Sequence, residues 1–344
     1  MFDRVCMFKR IKEKILFALR LSDQPQVKLY NGYGNATNCV IFGHVFSLSP
    51  LPRRKYRQNF LSNTLALFRL FIVKPVKQVN VELVWENKMY TTKTAADGFF
   101  KFEWTPERLL TAGFHSVEVI LKDKNNTIIT KGTANVVIPH SNQFAFVSDI
   151  DDTFLISHSG NLRKRLFVLL TENARSREPF EGVVNHYRQL SMAGTAQQTF
   201  NSFFYVSSSE WNLYDYIREF SSINKLPEGV YLLNQVKTIS QILKTGQNNH
   251  STKFMRIARV MEAYPEQHFI LLGDDSQEDP FIYTAIAEHF PGKLKCIYIR
   301  QVLKKRKQQV DEVLLKLSAS GIQYCYFQHS AEAIIHSKEL GLIN

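Results

Sequence analysis

Residues 144–154 read FAFVSDIDDTF, an apolar run followed at once by three acids. Residues 144–147 have the composition of a buried strand, and Asp149, Asp151 and Asp152 come where that strand would end. Three carboxylates this close repel one another unless a cation neutralises them. The stretch therefore predicts a strand of a parallel sheet with a divalent ion at its carboxyl end. Mg²⁺ suits such a site because it takes few carboxylates and keeps the remaining positions for water or phosphate.

Apolar strands and helical stretches continue to alternate from this stretch to the C-terminus. The predicted strands are residues 144–147, 203–206, 230–233, 269–272, 295–299 and 323–327. The predicted helices include residues 211–220, 251–264 and 280–289. This alternation is typical of βαβ units, so residues 144–344 are predicted to form an α/β domain with a Rossmann-like parallel sheet.

The sequence before residue 144 has a different pattern of apolar and polar residues. Short alternating runs with turn residues between them, such as VNVELVW and GFFKFEW, predict a small β-sandwich domain over residues 23–143. Residues 95–98 and 123–126 are predicted to form its hairpin turns. An insertion at about residues 51–75 has a basic start and apolar residues at helical spacing, which indicates a second amphipathic helix.

Composition limits the class of protein and shows where its charge lies. The 344 residues are 44% hydrophobic and contain no apolar run long enough to span a bilayer, which excludes a disordered or membrane-spanning chain. Residues 1–143 hold 21 Lys and Arg against 10 Asp and Glu, whereas residues 144–344 hold 22 against 21. Residues 1–22 are predicted to form a basic amphipathic helix and not a signal peptide, because the apolar run is short and no small-residue cleavage site follows.

The basic clusters at residues 1–20 and 51–77 point to an anionic surface, which phospholipid or nucleic acid can provide. Nucleic acid is disfavoured because the basic residues do not alternate with aromatic ones along a groove. The alternative is that both apolar faces pack against the protein itself. Four widely spaced cysteines indicate a reducing compartment. We therefore expect a cytoplasmic protein that is peripheral on a membrane if these clusters meet lipid.

Other polar residues follow the later strands. Ser207 leaves the second strand where a phosphoryl oxygen could accept its hydrogen bond, although it or Ser208 and Ser209 could instead cap the next helix. Lys253 lies at a helix start, which is unfavourable for the helix dipole and would be explained by a phosphate, although it could be an ordinary solvated lysine.

Two adjacent acids follow Gly273. Asp274 and Asp275 are both expected to point into the crevice at the strand ends. Asp279 is expected to cap the helix that starts at Pro280, and it could also hold a lysine. For the first acidic stretch the structural alternative is an Asx-turn followed by a helix capped by Asp152 or Thr153.

The order of these motifs (D-x-D-x-T, Ser, Lys and Gly-Asp-x-x-x-x-Asp) resembles that of the haloacid dehalogenase superfamily of phosphotransferases. Over about residues 144–302 the sequence is similar to the actin-patch-protein type of phosphatidate phosphatase. The similarity lies in the residues and spacing of four segments, DIDDT, PFEGVVNHYRQL, FFYVSSSEWNLYDYIREF and GDDSQEDPFIYTAIAEHFPGKLKCIYIR. Glu210 departs from that family where Pro is expected. Asp275 stands where Ser is usual, which leaves open whether Asp274 or Asp275 binds metal.

The resemblance implies a magnesium-dependent hydrolysis of phosphatidate, a lipid phosphate, to diacylglycerol. Asp149 would be the nucleophile and Asp151 the proton donor, with Ser207 and Lys253 on the phosphoryl oxygens. Metal ligands would come from Asp149, Asp151 and one of the acids after Gly273.

Residues 157–199 are long enough for a small helical cap, in which Arg163, Lys164 and Arg165 would face a phosphate or only solvent. Two other functions remain open. One is a phosphatase of soluble phosphomonoesters, and the other is an anionic-surface binding module attached to an inactive hydrolase-like domain.

Overall fold

The computed structural model describes residues 13–51, 65–66, 68–140, 143–156, 178–195, 199–238 and 250–344. These residues form two sheets, a parallel one in the C-terminal half and a mostly antiparallel one in the N-terminal half. The expected α/β class with a parallel sheet is confirmed. No helix among these ranges is long and apolar enough to cross a bilayer.

The parallel sheet contains six strands, and β10 lies at its centre. In chain order they are β10 (Ala145–Ser148), β11 (Ser202–Glu210), β12 (Gly229–Asn234), β13 (Phe269–Asp274), β14 (Leu294–Arg300) and β15 (Gln323–Phe327). Their spatial order is β12-β11-β10-β13-β14-β15, with each neighbouring pair parallel. Because the chain moves outward from β10 in both directions, the sheet has the topological switch point at which α/β proteins bind ligands.

Six helices accompany this sheet among the described residues. They are α1 (Val183–Ser191), α2 (Tyr214–Ile223), α3 (His250–Ala263), α4 (Asp279–His289), α5 (Lys307–Ala319) and α6 (Ser330–Glu339). Short 3₁₀ turns at Trp211–Leu213 and Lys304–Arg306 precede α2 and α5. All three predicted helices are present within a few residues of their expected bounds.

Helix α1 lies within the range expected for the cap. Its Val183, Tyr187 and Leu190 belong to the main apolar core, and His186 Nε2 is 2.8 Å from Ser337 Oγ on α6. This part of the range is therefore a layer of the α/β domain. Residues 157–177 and 196–198, which include Arg163, lie outside the described residues.

The N-terminal sheet contains nine strands. They are β1 (Leu21–Ser22), β2 (Gln26–Gly34), β3 (Cys39–Pro50), β4 (Lys74–Pro75), β5 (Asn80–Trp85), β6 (Lys88–Lys93), β7 (Phe99–Trp104), β8 (Gly113–Lys122) and β9 (Ile128–Ile138). The order is β1-β3-β2-β9-β8-β5-β6, and β4 and β7 also pair with β3. All pairs are antiparallel except β2 with β9.

One of the two predicted hairpin turns is correct. Residues 123–126 join the paired strands β8 and β9. Residues 95–98 do form a turn, closed by a hydrogen bond from Gly98 N to Ala95 O, but they are not a hairpin. Strand β6 before this turn pairs with β5, and β7 after it pairs with β3. Local turn chemistry could not show that these strands have different partners.

The two predicted amphipathic helices are described in part. Residues 13–19 are helical, and so are residues 65–66 and 68–70. Phe71, just after the second segment, is buried in the main core, while Arg69 donates a hydrogen bond to Leu51 O at 3.1 Å. Residues 1–12 and 52–64, which hold most of the basic residues of both clusters, lie outside the described residues.

The two sheets share an apolar core. Tyr30 and Tyr33 of β2 and Phe42 of β3 belong to the same cluster of buried side chains as the residues of the parallel sheet. The Tyr30 ring stacks on Trp211, with 4.1 Å between ring centroids. At the rim, Lys28 Nζ lies 2.7 Å from Asp215 Oδ2. The N-terminal sheet is therefore packed directly against the α/β domain.

Candidate active site

The switch point of the parallel sheet brings together side chains from three strand ends. Asp149 follows β10, Ser207 lies near the end of β11, and Asp274 ends β13. Because β11 and β13 flank β10 on its two sides, their carboxyl ends meet at one edge of the sheet. The residues predicted from strand ends thus lie at a common site.

The centre of this site is a cluster of buried acids around one lysine. Asp149, Asp274 and Asp279 each offer a carboxylate oxygen within 4.8 Å of the others. Lys253 Nζ lies 2.6 Å from Asp149 Oδ1 and 2.5 Å from Asp279 Oδ1. Lys253 is buried, so its interpretation as a solvated lysine is wrong. One ammonium group cannot balance three carboxylates.

The pKa values of the cluster reflect this imbalance. Burial raises the pKa of Asp149 to about 8, against the lowering influence of Lys253 and with further raising by Asp279 and Asp151. Burial also raises the pKa of Asp274 well above its usual value, helped by Asp279 and Asp149. Although burial alone lowers the pKa of Lys253, Asp149 and Asp279 raise it above its ordinary value. The lysine is therefore charged, and the site still carries excess negative charge when its acids ionise.

The donor set fits a hard divalent cation. Carboxylate oxygens are the ligands such ions prefer, and an added cation would offset the repulsion among the acids. Asp279 Oδ2 is buried with no hydrogen bond to any described residue, so the cluster is short of positive or donor groups. Of the residues predicted as metal ligands, Asp149 and Asp274 are in the cluster, whereas Asp151 and Asp275 are not, and Asp279 is a third member.

Asp275 has a separate environment. Its Oδ1 accepts hydrogen bonds from the backbone N–H groups of Val302 and Leu303, at 2.7 and 2.9 Å. Its Oδ2 accepts from the Tyr326 hydroxyl at 2.8 Å. The carboxylate therefore anchors the chain after β14 and does not face the acid cluster. Asp274 instead accepts hydrogen bonds from Thr153 Oγ1 at 3.0 Å and from the Ser276 N–H.

The carboxylate of Asp151 points to β11. Its Oδ2 accepts hydrogen bonds from Ser207 Oγ at 3.2 Å and Ser209 Oγ at 2.7 Å. Sequence reasoning assigned Ser209 only a capping role and missed this contact. The strand itself contains the signal, since residues two apart point to the same face, which places Ser209 beside Ser207. Strand β11 runs on to Glu210, so neither Ser208 nor Ser209 caps the helix.

The loop after Asp151 does not start a helix. Asp152 has a left-handed backbone (φ 60°), and its N–H donates to Leu155 O at 2.8 Å. Residues 152–155 form a turn, so the alternative in which Asp152 or Thr153 caps a helix is wrong. Thr153 Oγ1 reaches Asp274 instead.

Arg300, at the end of β14, supports this loop. Its Nε donates to Thr153 O at 3.0 Å, and its guanidinium lies 4.3 Å from the centroid of the Phe180 ring. Sequence reasoning missed Arg300, since a buried strand gives no signal of what its last side chain will touch.

Gly273 and Asp279 depend on each other. A Cβ at Gly273 would lie 2.6 Å from Asp279 Oδ2 and 2.7 Å from the Tyr283 ring, so only glycine lets α4 approach β13 this closely. Asp279 lies in the first turn of α4, whose N-cap residue is Glu278, so the expectation that Asp279 caps this helix is wrong. The expectation that Asp279 holds a lysine is confirmed by its contact with Lys253.

Comparison with a family model and comparison with single proteins both find a similarity to phosphatidate phosphatases of the APP1 type. Residues 144–301 match the family "Phosphatidate phosphatase APP1, catalytic domain". The chain is 29% identical over 169 residues to "Phosphatidate phosphatase APP1" of Saccharomyces cerevisiae, which covers 48% of this chain and 27% of that protein. An uncharacterized protein of Schizosaccharomyces pombe is 21% identical over 192 residues, covering 55% of this chain and 30% of the other. The matched region thus spans less than a third of either relative.

Similarity among solved structures is weak. The superposition on a carbohydrate acetylesterase from Xanthomonas citri has a TM-score of 0.33 at 9% identity, covering 88% of this chain and 68% of the other. A TM-score this low carries no argument about function.

The buried carboxylate cluster at the switch point of the parallel sheet lies within residues 144–301, the part of the chain that is similar to this catalytic domain. The predicted resemblance of about residues 144–302 to the actin-patch-protein type of phosphatidate phosphatase is thereby confirmed.

Proposed function

We propose that the chain is a magnesium-dependent phosphatase that hydrolyses phosphatidate to diacylglycerol through an aspartyl-phosphate. The observation that carries this proposal is the buried Asp149 at the end of β10, with Lys253 Nζ 2.6 Å away and Asp274 in the same cluster. A nucleophilic carboxylate needs a neighbouring cation to approach an anionic phosphate. The similarity of residues 144–301 to a phosphatidate phosphatase catalytic domain supports phosphatidate as the substrate.

In the proposed reaction Asp149 attacks phosphorus, and the bond from phosphorus to the leaving alkoxide breaks. Asp151 gives the alkoxide its proton, and the resulting carboxylate then takes a proton from the water that cleaves the aspartyl-phosphate. Ser207 and Ser209 suit this role because their hydroxyl groups hold Asp151 Oδ2 in place. During phosphoryl binding Ser207 and Lys253 turn to the phosphoryl oxygens, and Lys253 keeps Asp279 as its carboxylate partner.

Mg²⁺ would be held by Asp149, Asp274 and the Asp151 carbonyl, where it would neutralise charge on the transferring phosphoryl group. The contacts of Asp275 support Asp274 as the ligand and a structural role for Asp275. We assign the parallel-sheet domain to the haloacid dehalogenase type, supported by its strand order and motif order. We assign the nine-stranded sheet to a β-sandwich, supported by its own apolar core around Ile41, Val81 and Val119.

The decisive experiment is a phosphate-release panel on the full chain, with phosphatidate in mixed micelles and an aryl phosphate as the soluble substrate. Release from phosphatidate that stops in excess chelator and returns with Mg²⁺ is the expected result. Release from the aryl phosphate alone would instead favour a phosphatase of soluble phosphomonoesters. A folded protein that releases phosphate from neither substrate would favour the binding-module alternative.

We further propose that an anionic membrane surface recruits the protein. The support is exposed apolar side chains on both basic segments: Ile15 is 53% exposed, Phe17 86% and Leu65 66%. Each basic residue near an anionic surface contributes ~1 kcal/mol, and the attraction fades beyond ~8 Å at physiological salt. A nearby lipid surface would bring the active site to its substrate.

Vesicle sedimentation tests this recruitment. A form lacking residues 1–20, and one with Arg53, Arg54, Lys55 and Arg57 changed to Ser, are expected to bind anionic vesicles more weakly. The matched control changes four exposed lysines of the α/β domain to Ser, namely Lys295, Lys304, Lys305 and Lys316. Equal binding by all forms would mean that the basic segments do not recruit the protein.

A further inference from the structure

A cavity of about 750 Å³ lies at the opposite edge of the parallel sheet from the acid cluster. It is lined by the starts of β11 and β12, the end of α1 and, from the other domain, the facing ends of β8 and β9. Because the catalytic carboxylates follow the carboxyl ends of the strands, this cavity at their amino ends is separate from the active site. Its volume is in the range of cavities that hold small molecules.

The mouth of the cavity exposes large apolar side chains from three separate segments. Phe114 on β8 is 53% exposed, Met192 after α1 is 52% exposed, and Phe200 before β11 is 65% exposed. Isolated apolar residues on a surface are common, but three that converge on one concave site are unusual and typical of a ligand site. The inner wall continues this apolar character with Val137 and Ile138.

Three polar side chains of the inner wall, those of Asn201, Ser191 and Gln143, already have hydrogen-bond partners. Asn201 Nδ2 donates to Leu190 O and Ala193 O, and its Oδ1 accepts from the Phe144 N–H. Ser191 Oγ donates to Arg188 O, and Gln143 Oε1 accepts from the His140 N–H. These groups therefore need no hydrogen bond from a ligand, and the interior suits a hydrocarbon chain.

The charged side chains that line the cavity indicate the charge of a ligand's head group. Arg188 and Lys225 are exposed, and neither side chain has an ion pair or hydrogen bond with a described residue. Glu228 is the one acid among the described lining residues, so cations outnumber acids at the rim. An anionic group at the mouth would meet a rim with more cations than acids while its chain lies against the apolar wall.

We propose that this cavity binds a single-chain anionic amphiphile, with its chain between the two domains and its head group at Arg188 and Lys225. A ligand in this position contacts both domains, so its binding raises the midpoint of thermal unfolding of the whole chain. The proposal concerns a second site and does not depend on the chemistry of the first.

Calorimetric titration of the full chain with monomeric dodecanoate tests it, with dodecyltrimethylammonium as the amphiphile of opposite charge. Dodecanoate has no phosphate group, so it is not a substrate of the proposed reaction. We expect dodecanoate to bind roughly tenfold or more tightly than the ammonium compound, since close contacts with two cations distinguish them. Excess inorganic phosphate with Mg²⁺ is expected to leave dodecanoate binding unchanged.

Two paired variants locate the site. Arg188→Gln with Lys225→Gln, and Met192→Ser with Phe200→Ser, are each expected to weaken dodecanoate binding about tenfold. The matched control is Leu315→Ser with Lys316→Gln, an exposed apolar residue and an exposed lysine on the outer face of α5, which is expected to bind like the parent. All changed residues are exposed or partly exposed, and thermal unfolding of each variant checks that it is folded.

Three results would overturn the proposal. The first is dodecanoate binding no tighter than that of the ammonium compound, the second is competition by phosphate, and the third is equal binding by the cavity variants and the control. A failed phosphatase assay together with positive dodecanoate results would reject the proposed function and leave this site standing.

Discussion

The acid cluster and the contact between the two sheets are both buried, but their polar groups differ in charge and in how far that charge is compensated. At the sheet contact, the Asn212 side chain donates to Leu70 O and Lys237 O and accepts from the Lys237 N–H, all within 3.0 Å. In the acid cluster Lys253 pairs with two of the three carboxylates, Asp149 and Asp279, and Asp279 Oδ2 has no partner among the described residues. Well-paired polar groups stabilise a fold, whereas under-compensated charge creates affinity for a cation and for phosphate.

This difference predicts that substitutions in the two regions have opposite consequences. Changes in the acid cluster should remove activity with little loss of stability, because they also remove repulsion. Changes at the sheet contact should remove stability, because Tyr30 and Trp211 are packed between the domains.

The largest expected effect is that of Asp149→Asn. A carboxamide is nearly isosteric with a carboxylate but is a poor nucleophile, so phosphate release should fall on the order of 10⁴-fold or more. The midpoint of thermal unfolding should stay at or above that of the parent, since one of three clustered carboxylates is gone. Near-parental activity in the folded variant would reject Asp149 as nucleophile. A large loss of stability would contradict the expectation that substitutions in the acid cluster leave the fold stable.

The adjacent acids Asp274 and Asp275 provide a matched pair. Asp274→Asn should lower activity by roughly 10²-fold and raise the Mg²⁺ concentration needed for half-maximal activity, because it changes a proposed ligand. Asp275→Asn should leave that concentration unchanged but lower the free energy of unfolding by about 1–3 kcal/mol, because it weakens buried hydrogen bonds. Magnesium titrations and urea unfolding of both variants measure these effects. If Asp275 were the ligand, Asp275→Asn would raise the Mg²⁺ requirement and Asp274→Asn would leave it unchanged.

At the sheet contact, Trp211→Ala should lower the free energy of unfolding by about 3–5 kcal/mol, because it leaves a cavity against Tyr30. Phe17→Ala is the control, since that ring is 86% exposed and its removal should change stability by less than ~0.5 kcal/mol. Denaturant unfolding measures both. Equal stabilities for these two variants would mean that the shared core does not hold the domains together.

The smallest effect concerns acid stability. Burial, with Lys28 nearby, lowers the pKa of His44 to about 3, and burial, with Arg300 and His336 nearby, lowers the pKa of His186 to about 3. The unfolded chain takes up these protons first, so the stability is present above about pH 6.5 and is lost as pH falls toward 3. At pH 5 each histidine should lower the free energy of unfolding by about 2 kcal/mol relative to its value above pH 6.5.

His44→Gln and His186→Gln should each lose less stability than the parent between pH 7 and pH 5. Urea unfolding at the two pH values measures the difference. A loss identical to that of the parent in both variants would mean that these histidines do not titrate on unfolding.

The elements of the α/β domain could be predicted from the sequence because each is marked locally. Buried parallel strands appear as continuous apolar runs, and all six were placed within a few residues. In the N-terminal half the alternating runs VNVELVW and GFFKFEW correspond to strands β5 and β7, but the partners of these strands could not be predicted. Pairing joins residues far apart in the chain, so the turn at residues 95–98 was wrongly taken for a hairpin.

The residue types of the active site were likewise available from the sequence. Asp149, Asp151, Ser207 and Asp274 all follow or flank a strand end, and any parallel sheet brings such ends to one edge, whereas Lys253 lies near the start of α3. The choice between Asp274 and Asp275 was not available. Consecutive residues of an extended chain point to opposite faces of the sheet, and which of the two meets Asp149 and Asp279 depends on how the whole elements are packed.

The sequence by itself therefore determined the α/β class, the motif residues and the excess of basic charge in the N-terminal half, because each is a property of short segments. Only the tertiary structure decided that Ser209 holds Asp151, that Arg300 supports the loop of Thr153, and that Asp279 shares Lys253 with Asp149. Each of these contacts joins residues from different strands or helices. Their proximity is set by the packing of whole elements, which no single segment encodes.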